Sequence, residues 1–218
     1  MRNGVLVKTY SAPPFAIREI LRYAGCLGNA DEGLNALLGE CIAECEGVFS
    51  YRVCYLEKTI DESFFGNGIT VKNRLNSCER AVVFAATVGL GIDRLIAKYA
   101  KVATTKALLF QAIGAERIES LCNAFCAELA SEYEPLGLYT RQRFSPGYGD
   151  FPLDKQREFF GVLDCPRKIG LSLNDSLLMS PTKSVTGVVG LTRTEEKSRA
   201  CETTCADCEK QDCTMRSL

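Results

Sequence analysis

Glu79-Arg80-Ala81-Val82-Val83-Phe84-Ala85-Ala86-Thr87 is a short apolar run rich in β-branched and aromatic side chains, and it predicts a strand buried on both faces. Upstream, Ser50 to Lys58 alternates Tyr51, Val53 and Tyr55, the pattern of a second strand in the same sheet. Downstream, Gly89 and Gly91 lead into a short helix. A long helix follows from about Thr104 to Glu132, with Leu108, Ala112, Ala115, Ile118, Cys122, Phe125 and Leu129 on one face and Pro135 closing it. Two helices are expected before the sheet. The first runs from about Pro14 to Gly25 with Ser11 as its cap; the second follows Asp31, carries Leu34, Leu37, Leu38, Cys41, Ile42 and Cys45 as a stripe, and closes at Gly47. After the long helix, a short helix is expected over Leu153 to Leu163, then strands near Ile169 to Leu173 and Ser184 to Leu191.

The 218 residues suffice for a sizeable core, and a hydrophobic share of 46% with 24% charged residues is that of an ordinary globular protein. A net charge of −1 provides no basic field for nucleic acid. The first residues lack the charged-then-apolar pattern of a signal peptide, and no apolar run approaches bilayer length, so no membrane association and a cytoplasmic location are expected. Twelve cysteines in a reducing compartment point to thiols or metal ligands rather than a disulfide framework. The pairs Cys41/Cys45 and Cys122/Cys126 each share a helical face; a small buried hydrophobe is the expected role, ahead of a thiol pair with metal or redox use. Histidine is absent, which excludes it as general base, nucleophile or metal ligand.

Regular patterning breaks at residues 139–152. There Arg141, Arg143, Tyr139 and Tyr148 stand among Pro146, Gly147, Gly149 and Pro152, making this loop the place to look for a site. Arginine holds a carboxylate through paired charge-assisted bonds, proline and glycine let backbone approach a ligand, and tyrosine offers a flat face with a hydroxyl. The same residue types also suit a solvated surface turn.

The stretch Arg143-Phe144-Ser145-Pro146-Gly147-Tyr148-Gly149-Asp150-Phe151-Pro152, followed by Ile169-Gly170-Leu171-Ser172-Leu173 and Lys183-Ser184-Val185-Thr186-Gly187, resembles the activation domain of cobalamin-dependent methionine synthase. Upstream, Ala85-Ala86-Thr87-Val88-Gly89 and Gln111-Ala112-Ile113-Gly114-Ala115 with Glu119 extend the resemblance, which covers roughly residues 80 to 191. It implies an α+β fold, a curved antiparallel sheet flanked by helices, over residues 1–191, of which about 1–49 are the N-terminal helical part; residues 192–218, charged and cysteine-rich with few large apolar side chains, read as an appended tail or mini-module. The resemblance further implies that S-adenosylmethionine is the ligand. Arg143 would bind it with help from Ser145 and Gly147, and Tyr148 would contribute to the site and stand as the catalytic residue, near the cobalt of a docked cobalamin. The implied task is to restore methylcobalamin from an oxidised, inactive form, effectively irreversible methylation drawing an uphill reduction forward. With no homocysteine, folate or cobalamin module in these residues, the cobalamin is expected on a partner methionine synthase or corrinoid protein, with flavodoxin or a ferredoxin-like protein as the expected reductant.

Cys201, Cys205, Cys208 and Cys213 form the complement of four thiolates that a [4Fe-4S] cluster or zinc requires, and an unligated thiol-rich tail fits the same residues. Two other functions remain open: a non-catalytic docking or repair module for corrinoid proteins, and an iron–sulfur electron-transfer accessory.

Overall fold

The computed structural model describes residues 4–26 and 30–194. In chain order the elements are β1 (Leu6–Thr9), α1 (Ile17–Tyr23), α2 (Glu32–Glu44), β2 (Arg52–Thr59), α3 (Glu62–Phe65), α4 (Ile69–Arg74), β3 (Cys78–Thr87), α5 (Gly91–Tyr99), α6 (Thr104–Tyr133), β4 (Tyr139–Thr140), α7 (Gln156–Leu163), α8 (Cys165–Ile169), β5 (Ser172–Leu173), β6 (Met179–Ser180) and β7 (Ser184–Thr192). Five strands build a curved antiparallel sheet in the order β1-β2-β3-β7-β4, and β5 and β6 form a separate pair. The predicted α+β class is the one observed.

The central strand explains the architecture. Val82, Phe84, Ala86 and Val88 face a core shared with α1, α2, α5 and α6, while Ala81, Val83 and Ala85 face a second core under α3, α4, α7 and α8. Helices cover both faces, so β3 is apolar throughout instead of alternating, as is usual for a parallel sheet covered on both sides. The long helix α6 spans about 45 Å at 1.5 Å per residue. Cys41, Cys45, Cys122 and Cys126 are all buried, as expected of apolar filler. Leu108, placed on the core face by the sequence pattern, is exposed, and its neighbour Leu109 is buried instead.

Local chemistry sets several boundaries. Asp31 caps α2 by accepting from the Leu34 amide at 2.7 Å. The first helix starts at Ile17 without a side-chain cap, so Ser11 does not cap it as expected. Pro13 and Pro14 instead direct their carbonyls to the buried Arg117 guanidinium, at 2.5 and 2.7 Å. The strand expected from Ile169 is shorter: Pro166 opens α8, Ile169 ends it, and Gly170 at φ +70° releases the chain into β5.

Candidate functional site

The outer edge of β7 positions the loop of interest. Tyr139 and Thr140 pair with Thr192 and Leu191, the Arg141 amide donates to the Gly190 carbonyl at 2.8 Å, and Phe144 exchanges hydrogen bonds with Val188 at 3.1 and 2.8 Å. Pairing on this side stops there. Pro146 then turns the chain away, and the loop closes on itself. The Tyr148 amide donates to Ser145 and the Gly147 amide to Phe151, at 3.1 and 2.8 Å. Gly147 adopts φ +90°, a region that favours glycine, and a Cβ there would sit 3.1 Å from Leu153 Cδ1.

Arg143 points from this edge to α6, its side chain 13% exposed and its guanidinium 2.5 Å from the Glu119 carboxylate. A longer contact, 3.3 Å, reaches Asn123 Oδ1 one helical turn further on. Tyr23 of α1 stands close enough to be affected: burial first, then the Glu119 charge, raises its hydroxyl pKa above the ordinary value. Opposite charges thus lie side by side, with Tyr23 within electrostatic reach. Such a pair matches the carboxylate and ammonium of an amino-acid group.

Tyr148 projects the other way and is 56% exposed. Its ring lies 5.8 Å from the Arg74 guanidinium of α4. Four sequence-predicted residues, Arg143, Ser145, Gly147 and Tyr148, therefore share one loop, with charge recognition on its α6 side and the exposed aromatic on its α4 side. The Gly147 N–H and the Ser145 C=O are engaged within the loop.

Asn123, Tyr23, Arg74 and Asp150 were not legible as site residues. Asp150 stood inside the quoted motif, but the other three are brought in by packing and carry no local signal. Among the described residues no group of three or more Cys, Asp or Glu side chains is placed to hold a metal ion. Cys201, Cys205, Cys208 and Cys213 lie outside the described residues. No helix among the described residues is long and apolar enough to cross a membrane.

The fold places the chain in a class before any sequence kinship does. It is similar to the crystal structure of the MetH reactivation domain bound to AdoHcy, with a TM-score of 0.60 and 14% identity over 91% of this chain and 81% of that one. At that identity the likeness is one of fold. The family model described as vitamin B12 dependent methionine synthase, activation domain, matches residues 71–208, and the chain belongs to that family. No curated protein matches it.

Proposed function

We propose that this chain binds S-adenosylmethionine where the Arg143 loop meets α6, and that it serves the reductive reactivation of a cobalamin-dependent methionine synthase or related corrinoid protein. The observation that carries the reading is the Arg143–Glu119 pair, held at 2.5 Å beside the loop that also exposes Tyr148. S-adenosylmethionine supplies the methyl group, and cobalamin on the partner supplies the nucleophile. Arg143 receives the carboxylate of the donor and Glu119 its ammonium. The Gly147 carbonyl and Ser145 backbone line the approach, and Tyr148 faces the docking partner. No proton transfer is required of this chain, so the absence of histidine is compatible with the chemistry.

An electron must also arrive, from flavodoxin or a ferredoxin-like reductant. Cys201, Cys205, Cys208 and Cys213 are proposed as ligands of a [4Fe-4S] cluster, with zinc as the alternative. In this reading residues 1–191 form the donor-binding unit and residues 192–218 the tail that serves it, and the protein works in the cytoplasm.

The test is a spectral reactivation assay with methyl-labelled donor, reductant and a purified cobalamin-carrying partner. Label is expected on the partner's cobalamin only when this chain is present. Donor binding without label transfer would instead identify a non-catalytic docking module.

A further inference from the structure

We propose that Arg74 and Asp150 are positioning residues for Tyr148, with α4 as a splint that fixes the aromatic ring for methyl transfer. The proposal rests on the reading above for the use of the ring, and on geometry alone for its placement. Tyr148 is more than half exposed, and although bonds to Ser145 and Phe151 tie its backbone into the loop, burial does not fix its ring.

Helix α4 supplies the restraint from both ends. At its start, the Asp150 carboxylate accepts from the Ile69 and Thr70 amides at 2.6 and 2.8 Å, and the Asp150 amide donates to the Thr70 hydroxyl at 3.3 Å. The two segments meet closely, the glycine of each lying against a side chain of the other. A Cβ at Gly149 would lie 2.3 Å from Thr70 Oγ1, and one at Gly68 would lie 3.0 Å from the Asp150 carboxylate. At its end, Arg74 donates to the Gln142 side-chain oxygen and sets its guanidinium 5.8 Å from the Tyr148 ring centroid. The loop is therefore gripped at residues 142, 148 and 150 by a single helical turn and a half. Hydrogen bonds within the Asp150 contact also hold its carboxyl below the usual range, the Thr70 side chain contributing first.

Orientation is what such a grip contributes: a freely rotating ring must be ordered during docking, whereas a held one is already placed. Arg74→Met and Asp150→Ala should each slow methyl transfer about 10-fold while changing donor affinity less than about 2-fold. Asp150→Asn, which keeps an acceptor for one of the two α4 amides, should restore part of the rate. In a Tyr148→Ala background, Arg74→Met should have no further effect.

A readout independent of methylation is the fluorine resonance of 3-fluorotyrosine placed at position 148 in the full chain. It should shift or broaden in Arg74→Met and Asp150→Ala and return part-way in Asp150→Asn. An unchanged resonance, or an equal rate loss in the Tyr148→Ala background, would overturn the positioning role. Lack of methyl transfer by the unaltered protein would reject the proposed function instead, and the resonance would still decide the placement.

Discussion

At the scale of the residue, the proposed function assigns recognition to Arg143 and chemistry to Tyr148 within one loop. Losing a bidentate charged contact should weaken S-adenosylmethionine binding by roughly 1.5–3 kcal/mol, so calorimetry of Arg143→Ala should show about a tenfold or greater loss. Tyr148→Phe should leave that affinity in place and lower the reactivation rate; a variant that loses donor binding yet reactivates normally at saturating donor would contradict the division. Lys183 offers a different check. Its stem lies across Gly114 of α6, and burial lowers its pKa from 10.5, opposed only by the charge of Asp93. The unfolded chain then binds more protons between the lowered value and 10.5, so stability rises with pH in that window and the penalty is fully present below it. Lys183→Met should therefore melt higher at pH 7, by about 2–4 °C for each kcal/mol relieved, and the gap should close as pH approaches 10.5. The loop itself could be read from the sequence because arginine, glycine and tyrosine fall within eight residues. Arg74 could not, because its contact with Gln142 spans 68 positions and depends on a six-residue helix that has no periodic signature.

At the scale of the element, α6 organises both the site and the core. Glu116 and Arg117 are 2% and 0% exposed, and Arg117 donates to Glu116 at 2.5 Å, to the Pro13 and Pro14 carbonyls, and faces the Phe15 ring at 4.1 Å. Removing one partner strands a buried charge. Arg117→Met should cost on the order of 3–5 kcal/mol in urea unfolding, and adding Glu116→Leu should recover part of it. Residues 10–16 should also become more accessible to protease in the single variant. Length and periodicity made this helix easy to foresee: Thr104 to Glu132 was expected and Thr104–Tyr133 is found. The strands expected over Ser50 to Lys58 and Glu79 to Thr87 were equally legible, the first from its alternation and the second as an apolar run. Four-residue β1 and the short helices α3 and α4 escaped notice, since they hold their shape through capping by Asp61 and Asp150 and through packing rather than through a pattern of their own.

At the scale of the molecule, Val188, Val189 and Leu191 of β7 are the last buried members of the two cores among the described residues. A chain shortened after Thr194 should thus keep its melting temperature and its donor affinity. The full chain, purified without oxygen, should carry iron and sulfide that Cys205→Ser or Cys208→Ser removes; stoichiometric zinc without iron would eliminate the electron-relay version. The pairing of β3 with β7 has a further consequence for how the protein is made. Thr87 and Ser184, bonded through their hydroxyls, stand 97 positions apart, so the middle of the sheet closes only when nearly the whole sequence is present. During synthesis at the ribosome, β2 and β3 emerge long before their neighbour, and β3 must wait with a bare apolar margin. Nascent chains stalled before Ser184 should bind chaperones and be degraded, whereas release of a few more residues should let the sheet lock shut.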